Sequence, residues 1–406
     1  MSVGLKFPAS ILPINGIRLS SCSANIYQKK RADLALLELS EGSNVVGVFT
    51  KNLFCAAPVQ ISKKNLSQLN PRYCLINAGN ANAGTGDQGL SDTSNNCKTL
   101  AVLAGCRENE ILPFSTGVIG EKLPVDKINA ALPVLLNELS SDKWIDAAKA
   151  IMTTDTIPKA VSKTISLGQS EINITGIVKG SGMIRPDMAT MLAYIATDAN
   201  IAKDMLEKIL LHAVNKSFNR ITVDGDTSTN DACVLIATCK ANNKYIDSNN
   251  SNDFEILKNS LTKIFCELSQ SIVRDGEGAT KFITINVSGG KSETECIDVA
   301  YKIAESPLVK TAFTASDANW GRILSAIGNS GINDLDINSI EIYLDNVCIV
   351  ENGQRSLSYT EEKGKEIMRQ DEISLLVNLN RGDCQEEIWT TDLSHEYIKI
   401  NAEYRT

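Results

Sequence analysis

Histidine is nearly missing from this chain: His212 and His395 are the only two in 406 residues, and neither stands at a metal-ligand spacing. Their scarcity argues against Ser-His or Cys-His nucleophilic catalysis and against a His-based zinc site, so no metal is expected. A base that is not a side chain becomes correspondingly more attractive. Cysteine occurs eleven times between Cys22 and Cys384, but without a C-x-x-C pair, and the closest two are Cys233 and Cys239. An odd, scattered set reads as reduced, buried thiols in a reducing cytosol, and the expected location is cytoplasmic. Basic clusters are absent too. With a formal net charge of −8 and no Lys/Arg run beyond Lys29-Lys30-Arg31, nucleic acid is not an expected partner. No apolar run approaches the ~18 residues of a spanning helix, and no membrane partner is expected. Residues 1–32 hold no Asp or Glu, a faint likeness to a transit peptide. The same stretch alternates in a way that fits a first strand or two, and no small-residue cleavage site follows an apolar core.

What is present is ordinary for a soluble enzyme: 43% hydrophobic and 22% charged residues, in a chain long enough for one large core or two. Residues 34–39 and 44–49 read as antiparallel strands about a turn at Glu41-Gly42, and 72–76 as a strand entering the Gly/Asn-rich stretch 77–86. That loop lacks both the G-x-G-x-x-G and the Walker spacing, and backbone close-packing explains it better than a phosphate cradle. Helices are expected over 93–104, 124–139 (kinked or split at Pro133), 144–152, 202–218, 254–273, 294–304 and 361–370, with another starting at Asn319. Segment 112–120 reads as a polar Ser-Thr-Gly turn between apolar flanks. Residues 159–166 and 171–178 form a hairpin across Leu167-Gly168. Strands are expected over 282–287, 340–350, 373–379, 387–391 and 397–400. The acidic spacing from Asp224 resembles a Ca²⁺ loop only superficially, since Thr229 stands where that loop needs Gly.

The rest of the chain is organised around 179–200, KGSGMIRPDMATMLAYIATDAN. Lys179 to Gly182 make a small flexible turn, and Pro186 before Asp187 is a second break. From Thr190 onward the pattern becomes an apolar run of strand length, the look of a strand buried on both faces. A threonine at such a junction ordinarily packs its methyl group. It has a chemical use as well: a Thr that begins a chain carries nucleophile and base together, because its α-amino group titrates near pH ~8. Attack of the Thr190 hydroxyl on the Ala189 carbonyl, then hydrolysis, would create that terminus.

The segment KGSGMIRPDMATMLAYIATDA is similar to the self-cleavage and nucleophile motif of the ornithine acetyltransferase family, the bifunctional glutamate N-acetyltransferases of arginine biosynthesis. The blocks LPFSTGVIG (112–120), TVDGDTSTND (222–231), RDGEGATKF (274–282) and TAFTASDANWGRI (311–323) resemble the family as well, except that Ala318 stands where Pro is expected. The resemblance implies an α/β (α+β) fold, a DmpA/ArgJ-like layered αββα sandwich, in an autoprocessed enzyme with an N-terminal Thr nucleophile. Cleavage between Ala189 and Thr190 would give an α chain of 1–189 and a β chain of 190–406 that includes a smaller C-terminal portion. It also implies Thr190 as nucleophile, Thr116 and Gly117 as oxyanion hole, and Thr153, Lys179, Thr190, Glu277, Asn401 and Thr406 as substrate contacts.

The implied reaction is a ping-pong transfer of acetyl from N2-acetyl-L-ornithine to L-glutamate, with no cofactor. Acetyl-CoA is a second donor substrate in bifunctional members, and the family assembly is an α₂β₂ heterotetramer. An aminopeptidase or amidase of the same fold, with water as acceptor, is the alternative within the fold. A binding protein that stays uncut is the alternative outside enzymes.

Overall fold

Apolar stretches bounded by Gly, Asn and Ser turns build a mixed fold. The computed structural model describes residues 2–8, 10–27, 31–185 and 191–403. Lys29, Lys30, Ala189, Thr190 and Thr406 lie outside the described residues. In chain order the first half comprises β1 (Ile17–Cys22), β2 (Leu34–Leu39), β3 (Asn44–Phe49), α1 (Ala57–Gln68), β4 (Tyr73–Asn80), α2 (Gly86–Ala104), β5 (Ile111–Val118), α3 (Val125–Asn137), α4 (Trp144–Ala150), β6 (Lys159–Leu167) and β7 (Ser170–Lys179). The second half continues with β8 (Leu192–Thr197), α5 (Lys203–Asn215), β9 (Ile221–Thr222), β10 (Ala232–Ala237), α6 (Asn252–Arg274) and β11 (Phe282–Gly290). After these come α7 (Glu293–Ala304), α8 (Pro307–Thr314), α9 (Trp320–Gly328), β12 (Glu341–Leu344), β13 (Val347–Glu351) and β14 (Gln354–Arg355). The last elements are α10 (Glu361–Met368), β15 (Glu372–Asn378), β16 (Cys384–Thr391) and α11 (His395–Ala402).

Among the described residues three sheets result, ordered β1-β2-β4-β5, β3-β10-β8-β7-β6 and β14-β13-β12-β15-β11-β16-β9. The first two stack face to face over a core of Leu19, Leu37, Ile76 and Phe114 from one and Ile177, Tyr194, Val234 and Ile236 from the other. Phe114 and Tyr194 meet edge to face across this layer, ring centroids 5.3 Å apart. The outer face of the first sheet packs on α2 and α3 through Leu34, Leu75, Leu100 and Leu132. That of the second packs on α5 and α6 through Ile195, Leu235, Ile209 and Leu268. Helix, sheet, sheet and helix therefore lie in the expected αββα order. The third sheet builds a separate core with α7 and α9, among them Ile285, Leu375, Val299 and Ile327.

All six residues of β8 are buried, as its uninterrupted apolar run requires, because both of its faces are covered. Strands β7 and β10 flank it, with Lys179 opposite Leu192 on one side and Ala232 opposite Leu192 on the other.

Local reading went astray where the partner of a segment decides its state. Strands β2 and β3 do not pair; the turn after Leu39 carries the chain from the first sheet into the second. Both strands are buried on both sides, so their pattern holds no trace of which sheet each joins. Segment 112–120 is not a turn but largely strand β5, parallel to β4, and its edge position tolerates Pro113. Helix α3 passes Pro133 without breaking; the residue is exposed, and water can serve the carbonyl that its missing N–H leaves free. Segment 340–350 is a hairpin, β12 and β13, turning at Asp345, whose φ is 48°. Residues 397–400 belong to α11, not a strand, and Ser394 caps that helix by accepting the Glu396 N–H at 3.2 Å. Helix α8 is not among the expected helices, although Ser306 before Pro307 is a cap-and-first-turn signal.

Candidate active site

Where β5 and β7 end, on the two facing sheets, their last residues meet three loops and α11 around a cavity of about 260 Å³. Thr116 and Gly117 come from β5, Lys179 from β7, and Thr153 and Thr154 from the loop after α4. Ser228 to Asn230 come from the loop before β10, Glu277 from the turn after α6, and Asn401 from α11. Thr116, Gly117, Thr153, Lys179, Glu277 and Asn401, six positions separated by up to 285 residues in the chain, therefore line one space. Ala189, Thr190 and Thr406 are outside the described residues, but the chain resumes at Met191, next to Leu192, the register partner of Lys179.

Lys179 is the hub. Its ammonium donates to Thr116 Oγ1 at 3.0 Å and to Thr153 Oγ1 at 2.9 Å. An ammonium has no lone pair, so both hydroxyl oxygens act as acceptors toward it and each keeps its own proton for another acceptor. The Thr116 hydroxyl is thus left ready to donate. Burial pushes the Lys179 pKa below its ordinary value; Asp155 opposes that, Lys159 adds to it, and Asp231 and Glu277 oppose it.

Gly117 shows why β5 must end as it does. Its φ is 131°, and a Cβ there would fall 2.3 Å from the carbonyl carbon of Gly79 and 2.6 Å from Asn80 N. Only a glycine permits this close approach of β5 to β4. The strand end is pinned by Asn230, whose amide donates to Ala81 O at 2.6 Å and Ser115 O at 2.9 Å. The resemblance of the 222–231 block to the family does not single out Asn230; an Asn with a purely structural hydrogen-bonding task leaves no local signature.

Across the cavity, Glu277 is buried against Gly182, where a Cβ would lie 2.4 Å from the carboxylate. Glu277 Oε2 accepts from Asn401 Nδ2 at 2.8 Å, and the Glu277 N–H donates to Ser181 O at 2.8 Å. Met183 adopts a left-handed φ of 54°, held because Asp224 accepts the N–H groups of Met183 at 2.7 Å and Ile184 at 2.9 Å. Tyr397 of α11 donates to the same carboxylate at 3.3 Å. The turn that precedes residue 186 is therefore tied to both the 222–231 loop and α11.

Asp231 was not expected and is buried with its Oδ2 unpartnered among the described residues. Burial pushes its pKa well above the ordinary carboxylate range, and Ser228 and the Lys179 charge oppose the rise only in part. Among the described residues no group of three or more His, Cys, Asp or Glu is arranged to hold a metal ion, and no helix is long and apolar enough to cross a membrane.

Residues 18–406 match the model of the ArgJ family. The chain belongs to the ArgJ family. It is 53% identical over its full length, and that of its relative, to the arginine biosynthesis bifunctional protein ArgJ of Pseudomonas fluorescens. It is 52% identical, again over all of both chains, to the protein of the same name from Psychrobacter arcticus. Among solved structures, the arginine biosynthesis bifunctional protein ArgJ of Bacillus halodurans is similar at 38% identity and a TM-score of 0.50, covering 52% of this chain and 99% of its own. Four of the five sequence blocks that resemble the family (112–120, 179–199, 222–231 and 274–282) supply most of the cavity wall of this ArgJ-family chain; block 311–323 supplies none of it, and Ala81, the Thr153-Thr154 loop and Asn401 of α11 come from outside the blocks.

Proposed function

We propose that the cavity is the acyl-transfer site of an arginine-biosynthesis acetyltransferase. The enzyme moves acetyl from N2-acetyl-L-ornithine to L-glutamate and uses acetyl-CoA as a second donor to make N-acetylglutamate. The observation that carries the reading is the pairing of Lys179 with Thr116 and Thr153 on one wall and Glu277 with Asn401 on the other, in a chain 53% identical to a bifunctional ArgJ. A small substrate bearing a carboxylate and an ammonium needs one wall of each charge, and each pairing is worth most where water is excluded.

In this mechanism the chain first cuts itself between Ala189 and Thr190. The Bacillus relative, matched over 99% of its length, spans about half of this chain, a proportion that division near residue 190 would produce in either piece. The freed Thr190 amine takes the proton of its own hydroxyl, which attacks the acetyl carbonyl. The negative oxygen that develops is met by the Thr116 hydroxyl and the Gly117 N–H, donors of a kind worth about 3 kcal/mol each. Ornithine leaves with the returned proton, and the glutamate amine then takes the acetyl group from Thr190. Glu277 and Asn401 receive the substrate ammonium, Lys179 its carboxylate, and Thr153 and Thr406 complete the contacts. No cofactor is needed for this chemistry. The working assembly is an α₂β₂ heterotetramer in the cytoplasm.

Incubation with N-acetylornithine, with and without glutamate, tests the reading: N-acetylglutamate should accumulate only with glutamate present. Acetate released at the same rate in its absence would make the protein a hydrolase of this fold instead. A second check lies at Gly182. Gly182→Ala should push the Glu277 carboxylate off Asn401 and raise KM about tenfold with kcat nearly kept, the pattern of lost ground-state binding. An unchanged KM would remove Glu277 from substrate recognition.

A further inference from the structure

Behind the cavity wall lies a buried set of charges that the proposed chemistry does not use. The Lys159 ammonium sits between Asp155 Oδ1 and Asp275 Oδ2, 2.6 Å from each, and all three side chains are at most 1% exposed. Burial alone would lower the Lys159 pKa, but the two carboxylates outweigh it and hold the lysine charged. Burial raises the Asp155 pKa while Lys159, Lys179 and two hydrogen bonds more than reverse it, leaving this carboxyl below its ordinary range.

Each carboxylate offers its remaining lone pairs to neighbouring N–H and O–H donors. Asp155 accepts the Thr153 N–H at 3.0 Å and the Gly180 N–H at 2.7 Å, so it holds the backbone on both sides of the Lys179 wall. Asp275 accepts the Thr156 N–H at 3.0 Å and the Thr156 hydroxyl. It also ends α6 two residues before Glu277. Taking three charges out of water is costly, and replacing such a set by apolar groups often leaves stability unchanged or improved. Stability alone is therefore a poor account of it.

We propose that the Asp155–Lys159–Asp275 triad is a positioning device that fixes the Lys179 wall relative to the Glu277 wall, setting the separation at which the cavity reads a carboxylate and an ammonium. This rests on the functional reading above. Asp155 has a second task within the device, since its carboxylate is the foremost of the charges that oppose the fall burial imposes on the Lys179 pKa. The titratable groups facing Lys179 are Asp155, Lys159, Asp231 and Glu277, and Asp275 is not among them. The two acids should therefore be separable.

The test compares Asp155→Asn with Asp275→Asn in the full chain. Competitive chemical labelling of Lys179 against pH, read by peptide mass, reports its titration without substrate, and steady-state kinetics against pH report its use. Asp155→Asn should lower the Lys179 titration by about one unit and move the alkaline limb of kcat/KM down with it. Asp275→Asn should leave that limb in place and raise KM about tenfold. A folded Asp155→Asn whose Lys179 titrates as in the unaltered protein, with an unmoved limb, overturns the proposal. Should Asp155→Asn fail to fold, Asp275→Asn decides: an unchanged KM overturns it. Labelling needs no acetyl transfer, so absence of transfer in the unaltered protein counts against the functional reading and leaves the triad to be judged on the titration.

Discussion

Thr190→Ala is expected to yield a single full-length species and to lose turnover by about 10⁴-fold or more, the scale on which removal of a catalytic nucleophile is felt. The unaltered protein should give two species, 1–189 and 190–406, on intact-mass measurement, the second with threonine first. Both losses have one cause. Cutting needs the hydroxyl to attack the carbonyl before it, and transfer needs the same hydroxyl together with the amine that cutting releases. With His212 exposed on α5 and His395 exposed on α11, and neither histidine lining the cavity, no imidazole stands in as base. Fully active protein with an intact bond between Ala189 and Thr190 would refute this account, because the hydroxyl would then have nothing to take its proton.

Gly117→Ala should be nearly as damaging, for a reason that is steric first and chemical second. The added carbon would meet backbone atoms of Gly79 and Asn80 at 2.3 to 2.6 Å, and backbone cannot swing aside as a long side chain can. A φ of 131° adds conformational strain that L-residues rarely accept. As the edge strand, β5 could shift outward, but only by breaking the Asn230 bond to Ser115 O at 2.9 Å and the Ala81 N–H bond to Val118 O at 2.9 Å. The expected loss in unfolding free energy is about 3 kcal/mol or more, measured by urea titration. Any folded fraction should lose about 10²-fold in kcat if the Gly117 N–H is the oxyanion donor proposed above, since it would no longer point where charge develops. A folded Gly117→Ala enzyme with undiminished kcat would take this glycine out of the oxyanion hole.

Elements of this fold differ in how plainly the sequence carries them. Strand β8 and helix α6 were legible because burial writes a pattern: an unbroken apolar run for the first, a repeat near 3.6 residues for the second. The β6/β7 hairpin was legible from its Gly168 turn. The jump of the chain from β2 into β3 was not, since two-sided burial looks the same whichever sheet a strand joins. Helix α11 was misread because its four most apolar positions alternate loosely, while the Ser394 cap that settles the matter is a single residue. In the site, Thr116, Gly117, Lys179 and Glu277 came from resemblance to a family and not from spacing. Asp155 and Asp275 were invisible for a plain reason: they are 120 residues apart and their meaning lies in a shared lysine. Pairing over that distance leaves no mark on either neighbourhood.

The order β3-β10-β8-β7-β6 in the second sheet bears on what self-cutting would do to the molecule. Strands β8 and β10 would belong to the later fragment, while β3 on one flank and β7 with β6 on the other would belong to the earlier. Two ladders of main-chain hydrogen bonds, β10 to β3 and β8 to β7, would bridge the fragments through the middle of the protein. Severing the chain would therefore not release halves that drift apart on dilution. It would leave two interwoven polypeptides, each completing a sheet that neither can finish alone, so β8, the first strand of the later piece, would stay clasped between β7 and β10.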